Sequence, residues 1–137
     1  MKDLYDAARY LALTGGMGLL TNTIKPVLVD TSLYTFNKAS HTSLADIPAG
    51  ARVAIGPALS GKTVSSTGIF DAADTVVPSV ASGRTAHAVA LIVDTGVEAT
   101  STLIYYTDES VEGLPCSTNG GNVLLKWPNT ADKIFAI

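Results

Sequence analysis

The stretch that decides the fold is residues 86–107, AHAVALIVDTGVEATSTLIYYT. It contains an apolar, β-branched run at residues 88–93, a link containing Asp94, Thr95 and Gly96, and a second run at residues 103–106. Two runs of strand length joined by a short, glycine-bearing link are typical of an antiparallel hairpin. Because the first run lacks polar alternation, both of its faces must be covered, which predicts a strand in the middle of a sheet.

The composition is typical of a compact domain, and the net charge gives no electrostatic reason to expect nucleic-acid binding. The chain has 137 residues, 47% of them hydrophobic and only 15% charged, with a formal net charge of −3. That charged share is well below the average of about 25%, so Thr, Ser, Ala and Gly must supply much of the surface. The single cysteine, Cys116, cannot form an internal disulfide, and no apolar stretch approaches the roughly 18 residues that span a bilayer. We therefore expect neither a nucleic-acid partner nor membrane association.

The N-terminal stretch predicts the one helix. Residues 3–14 carry apolar side chains at helical spacing, with Asp3 placed to cap the start and Gly15 and Gly16 to end it. Acidic and basic residues interrupt any leader-like apolar segment, so we expect no secretory signal here. We predict one domain over residues 1–137, divided into a helical arm at residues 1–16 and a β-sandwich at residues 23–137. On this view, deleting the arm would leave the β core folded.

The remainder favours a mainly β fold. Short β-prone runs recur with turn residues about every 8–12 positions, which is typical of a sandwich or barrel and not of alternating βαβ units. We predict an antiparallel β-sandwich, or jelly-roll-like domain, of about seven to nine short strands. Pro26 lies inside one of these runs and demotes it to an edge strand, or to a strand that starts after the proline. Residues 41–47 predict a short helical turn, and residues 108–122 a long loop rich in turns.

Residues 56–63, GPALSGKT, match the letters of a phosphate-binding P-loop. That motif works only when its glycine-rich turn leads into a helix whose N-terminus faces the phosphates. Here Thr63 is followed by VSSTG, which has no helical apolar period. We therefore interpret the stretch as a turn entering a strand, and keep a nucleotide-binding enzyme that uses Lys62 and Thr63 only as a minor alternative.

Other candidate chemistry is weaker. His41 and His87 lack neighbouring ligands at metal-binding spacing, and nothing near Cys116 would lower its thiol pKa. Asp71 and Asp74 fit a turn better than a calcium site. We predict no enzymatic activity, no catalytic residues, no cofactor and no metal. The aromatic residues Tyr105, Tyr106 and Trp127 are expected to pack in the core and between strands. A glycan-binding module stays an alternative, and it would need Tyr34, Tyr105 or Tyr106 to be exposed on one face.

A succession of segments carries a resemblance over nearly the whole chain. It comprises IKPVLVDTSLYT at residues 24–35, LADIPAGARVA at 44–54, LSGKTV at 59–64, GIFDAAD at 68–74, LIVDTG at 91–96, LIYYTDESVEGLPCSTNGGNV at 103–123 and W-x-N-x-x-D-K-I-F at 127–135. This succession resembles a family of small proteins encoded among the virion structural genes of tailed bacteriophages and prophages. The resemblance rests on turn and core residues, so it implies a shared fold and a virion setting, with no active-site residues to carry over.

The resemblance and the low charge together suggest a structural virion protein. Small β proteins in such particles often serve as capsid decoration or cement proteins, so the expected role is one that binds the major capsid protein or other virion proteins. We expect a symmetric homo-oligomer, assembled in the bacterial cytoplasm. A neck, tail or fibre-associated component stays open. The contacts are expected from the helix and from the 108–122 loop, through Leu4, Tyr5, Ala8, Leu11, Leu114 and Pro115.

Overall fold

The computed structural model describes residues 1–109 and 111–137, and this part of the chain is mainly β with one N-terminal helix. The helix is α1 (Asp6–Thr14), and two single-turn 3₁₀ helices span Leu44–Asp46 and Ala49–Ala51. The strands are β1 (Lys2–Leu4), β2 (Ile24–Val29), β3 (Arg52–Ile55), β4 (Thr63–Val64), β5 (Ile69–Asp71), β6 (Thr75–Val77), β7 (Thr85–Ala86), β8 (Ala88–Val93), β9 (Thr102–Thr107), β10 (Cys116–Ser117), β11 (Val123–Leu125) and β12 (Phe135–Ala136). The predicted antiparallel, sandwich-like class is confirmed. More strands form than predicted, because strands of two residues are too short to show an alternating pattern.

The predicted hairpin forms the centre of the main sheet. Its five strands are ordered β1-β9-β8-β2-β3, so β8 is the middle strand, and it pairs antiparallel with both β9 and β2. Every residue of β8 is buried except Val93, which is half-buried. The prediction of a central strand covered on both faces is confirmed.

The two faces of this sheet bury two separate apolar clusters. On one face Val89 and Leu91 join a cluster that is completed by the small sheets β12-β5-β4 and β11-β6. On the other face Ala88, Ala90 and Ile92 join a second cluster. Because side chains alternate along a strand, one uninterrupted apolar run supplies both clusters.

The second face is covered by a segment that contains little regular structure, residues 30–51, which we call the cover segment. Its buried residues include Leu44 and Ile47. Arg52 fastens it: the guanidinium donates hydrogen bonds to Ile47 O at 2.8 Å and Leu44 O at 3.1 Å, and pairs with Glu98 at 2.7 Å. Only 11% of the Arg52 side chain is exposed, because the carbonyls of the covering turns need donors.

Buried phenols tie the cover segment to the N-terminus. The Tyr5 and Tyr34 hydroxyls share a hydrogen bond of 2.9 Å, and Tyr34 Oη lies 2.8 Å from His41 Nδ1. Burial raises the pKa of both tyrosines above the usual range. The hydroxyls therefore stay neutral and satisfied inside the apolar cluster.

A bulge in β9 sets which side chains reach the other sheets. Leu91 pairs with Tyr105 and Ile92 with Leu103, so Ile104 is an extra residue between them. Ile104 and Tyr105 consequently both enter the first cluster. The Tyr105 ring lies 5.1 Å from that of Phe135, which docks β12 on the main sheet.

The position of Pro26 corrects an expectation. β2 is an internal strand, paired with β8 over its whole length and with β3 from Val27 onward. Pro26 is tolerated because it lies where β3 ends, and its carbonyl still accepts a bond of 2.8 Å from the Gly56 N–H.

The N-terminal residues do not form a separate arm, which corrects the predicted division at residue 16. The helix begins at Asp6, not Asp3, and residues 2–4 form β1, which pairs with β9 at the edge of the main sheet. Gly15 ends the helix in the left-handed conformation, as predicted. Because β1 and the fully buried Tyr5 belong to the core, deleting residues 1–16 would damage the β fold.

Two smaller expectations are also settled. The helical turn predicted near residues 41–47 is present as the 3₁₀ turn Leu44–Asp46, with Ser43 and Asp46 forming a capping box. The predicted loop at 108–122 contains β10, which pairs with β7, and a bridge between Glu112 and Lys126.

The two-face burial of β8 leads to a stability prediction. Leu91→Ala should lower the free energy of unfolding by about 3 kcal/mol, because it leaves a cavity under a fully buried side chain. Urea denaturation followed by circular dichroism measures the change. Leu124→Ala, at a leucine 43% exposed in β11, is the matched control and should change stability by less than about 1 kcal/mol. Equal losses in the two variants would contradict a core centred on β8.

Candidate functional site

The P-loop-like stretch is built into the fold as a connection between sheets. The Leu59 side chain is buried, and its N–H donates to Ile24 O at 2.8 Å. Lys62 Nζ donates to Asn22 O at 2.6 Å. Thr63 then begins strand β4, as predicted, and not a helix. The Lys62 amine is hydrogen-bonded to a backbone carbonyl, and the stretch lacks the helix N-terminus that phosphate binding by this motif requires.

His87 and Asp74, two of the other candidate residues, have structural partners. His87 Nδ1 accepts a hydrogen bond from the Thr31 N–H at 3.3 Å and lies 3.4 Å from Asp30 Oδ1. Asp74 Oδ1 accepts one from the Trp127 N–H at 3.2 Å. Within residues 1–109 and 111–137, no group of three or more His, Cys, Asp or Glu side chains is arranged to hold a metal ion.

Cys116 is half-buried in β10, and its sulfur contacts the Ser117 carbonyl at 3.6 Å. This is a contact within its own strand, so the structure supplies no group that would activate the thiol as a nucleophile.

Tyr105, Tyr106 and Trp127 lie in the core, as predicted, and so does Tyr34, whereas Tyr10 on the helix is exposed. Tyr34, Tyr105, Tyr106 and Trp127 are each less than a tenth exposed. Burial raises the pKa of Tyr105 and of Tyr106 to about 12. These tyrosines cannot form the exposed platform that a glycan-binding module would need.

Half of the predicted interface residues are unavailable to a partner, which is a correction. Leu4, Tyr5 and Ala8 are buried in the chain's own core, because β1 and the inner side of α1 pack on β9 and its neighbours. Leu11 is half-buried against the same core. Leu114 is half-buried and Pro115 is exposed, so only these last two lie at the surface of the loop as expected.

The apolar side chains that are exposed near the helix are neighbours of the predicted interface residues, not those residues themselves. We call this area the α1 surface. It consists of the exposed residues Ala12, Leu13, Leu20, Val64 and Ile137 and of the half-buried Leu19. Leu13 is 89% exposed, Ile137 62% and Leu20 56%. Two shallow depressions meet at Ala12: one of about 380 Å³ that includes Leu20 and Val64, and one of about 330 Å³ that includes Leu13 and Ile137. The α1 surface is thus an exposed, mainly apolar area with two adjoining depressions.

The sequence contained a signal for this surface. The last turn of α1 carries Leu11, Ala12 and Leu13 in succession, and Leu19 and Leu20 follow shortly after. An amphipathic helix needs only one apolar stripe for its core, so apolar residues around the whole circumference of a turn indicate a second contact. The stripe through Leu4 and Ala8 identified the buried side only.

Charges border the α1 surface but are paired with one another. Arg9 bonds to Asp3 at 2.8 Å and to Asp6 at 3.3 Å, and Lys38 bonds to Asp3 at 3.0 Å. Partial burial works against ionisation of Asp3, yet hydrogen bonds from Arg9, Lys38 and the Leu4 N–H hold its carboxyl pKa below the usual range. A partner therefore meets an apolar area whose neighbouring charges are already neutralised.

No protein-family model matches the chain, and a search of curated proteins also finds no match. The structure contains no helix, within its described residues, of the length and apolarity needed to cross a bilayer.

The lowered pKa of Asp3 predicts a dependence on pH. Because the folded pKa lies below that of the unfolded chain, about 3.9, the carboxylate adds stability above that pH, and the contribution disappears as pH falls through the folded pKa. We expect wild type to melt at a higher temperature than Asp3→Asn at neutral pH, and the difference to shrink as the pH falls through the folded pKa of Asp3. Thermal unfolding across this range measures it.

Asp132→Asn is the control for this experiment. Asp132 lines the same cleft as Asp3, and the described residues contain no ion-pair partner for it. A melting-temperature difference between wild type and Asp3→Asn that is constant with pH would contradict the assignment.

Proposed function

We propose that this chain is a structural virion protein of a tailed bacteriophage, a decoration protein that binds the major capsid shell through the α1 surface. The observation that carries the proposal is the α1 surface itself: an exposed apolar area in a chain whose candidate catalytic residues Lys62, His87 and Asp74 bond to the chain's own backbone. Exposed apolar areas of this kind are typical of sites that bind another protein. The resemblance along nearly the whole chain supports the virion setting.

The energetics of such contacts agree with this assignment. Side chains that are exposed in the free protein and removed from water in the complex drive association, and each large aliphatic group contributes on the order of 2 kcal/mol. Leu13, Leu20 and Ile137 have most of this surface still to bury. The core residues beneath them hold α1 against β9, so the surface is already in place before binding and little ordering is needed.

The hydrogen bonds of the polar groups are also consistent with a role in protein–protein contacts. The Lys62 amine, the Asp74 carboxylate and the Tyr34 hydroxyl all bond within the chain. Catalysis requires titratable groups that converge on a substrate space, and these groups converge on the protein's own backbone and side chains. We therefore propose that the chain is not an enzyme.

The proposal predicts that a charge in the α1 surface abolishes binding to particles. Leu13→Glu and Leu20→Glu, made separately, should each lower occupancy at least about tenfold, because an unpaired carboxylate would be buried in the contact. Both positions are exposed, so the variants should fold normally. The measurement is co-sedimentation with particles of the parent phage that lack this protein.

Leu33→Glu is the matched control, because Leu33 is 57% exposed but lies outside the α1 surface. Normal occupancy by both α1-surface variants would overturn the proposed contact. Cryo-electron microscopy of intact particles tests the location: density for the chain over the whole shell agrees with a decoration protein, whereas density only at the neck, tail or fibres supports that alternative.

A further inference from the structure

The outer edge of β1 is an exposed edge of the main sheet. The Asp108 N–H donates to Met1 O and the Tyr5 N–H to Ile104 O. Because backbone groups alternate in direction along an antiparallel strand, those of Lys2 and Leu4 point away from β9. Beside them lies a cleft of about 170 Å³, lined also by Phe135 and Ala136 of β12. No strand occupies this side of β1 in the part of the chain that the structure describes.

Two side chains occupy the outward backbone groups of Leu4. Asp3 Oδ1 accepts a hydrogen bond from the Leu4 N–H at 2.8 Å, and Arg9 Nη1 donates one to Leu4 O at 2.9 Å. Arg9 Nη2 also donates to Asp3 Oδ1 at 2.8 Å, which joins the two contacts. Lys38, from the cover segment, holds the other Asp3 oxygen at 3.0 Å. We call Asp3 and Arg9 the edge cap.

We propose that the edge cap prevents a second copy of this chain from pairing with β1 and extending the main sheet across two molecules. An open strand edge is a template for pairing, and a strand added here needs the N–H and the C=O of Leu4. Both groups are already bonded to charged side chains, and such bonds are stronger than neutral ones. An incoming strand must break them before it can pair.

The second copy is the relevant occupant because it presents the same extended edge. Two β1 strands related by a two-fold axis would run antiparallel, which is the arrangement of a symmetric contact. In the register that pairs Lys2 with Leu4 of the second copy, Asp3 would lie opposite Asp3. Two like charges placed directly across a pair of strands destabilise it, so Asp3 opposes pairing by its charge as well as by its hydrogen bond.

The test removes the cap from the full-length protein. The double variant Asp3→Ala/Arg9→Ala should form dimers with a dissociation constant at least about tenfold lower than that of wild type, because pairing no longer has to break charge-assisted bonds. Sedimentation velocity from low micromolar to submillimolar concentration measures association. Amide hydrogen exchange should show new, concentration-dependent protection at Lys2 and Leu4.

Four further variants make the result specific. Arg9→Lys keeps a cation for Asp3 and a donor for Leu4 O, so it should associate as weakly as wild type. Arg84→Ala, which removes an arginine that bonds to Gly50 O in a loop, is the matched control and should also match wild type. If the double variant does not fold, Arg9→Ala and Asp3→Asn each remove part of the cap and should each strengthen association.

Two results would overturn the proposal. One is association of the uncapped variants no stronger than that of wild type over the whole concentration range. The other is protection at Lys2 and Leu4 that already depends on concentration in wild type, because the cap would then not keep the edge closed. Neither result depends on whether the protein binds capsids.

Discussion

Burial of β8 on both faces is the constraint on which the rest of the structure depends. A strand with apolar side chains on both faces is stable only when a layer covers each face. The chain meets this requirement in two different ways. The small sheets cover one face, and the contact between Tyr105 and Phe135 joins them to the main sheet. The cover segment lies over the other face. The helix α1 packs against β9, and β1 pairs with the edge of β9 that faces away from β8.

The two coverings differ in what holds them. The small sheets are fastened by ladder hydrogen bonds and by aromatic packing, such as the 5.2 Å contact between Phe70 and Phe135. The cover segment has few ladder bonds, so side chains satisfy its backbone: Arg52 binds two of its carbonyls, and Asp46 accepts hydrogen bonds from the N–H groups of Thr42 and Ser43. Polar side chains thus stabilise an irregular layer that propensity alone would not form.

Two parts of the molecular surface, the outer edge of β1 and the α1 surface, also differ in how their exposed groups are covered. At the outer edge of β1, Asp3 and Arg9 bond to the backbone groups of Leu4, which we propose limits pairing at that edge. Where α1, β4 and the C-terminal residues meet, apolar side chains remain uncovered. Only 15% of the residues are charged, so charge repulsion over the whole surface does little to keep copies of the chain apart.

The amino-acid sequence by itself determined the fold class, the central hairpin, the end of the helix at Gly15 and the strand that begins at Thr63. These follow from local patterns: an apolar run, a glycine that adopts a left-handed conformation, and a β-branched segment after a turn. Tertiary structure alone decided that Leu4, Tyr5 and Ala8 are buried whereas Leu13 and Leu20 are exposed, and that Arg52 and Asp3 bond to backbone groups. It also placed Pro26 inside the sheet, because the neighbouring strand ends there. Helical spacing shows which side chains share a face but not which face meets the sheet, and that choice depends on contacts between residues distant in the chain.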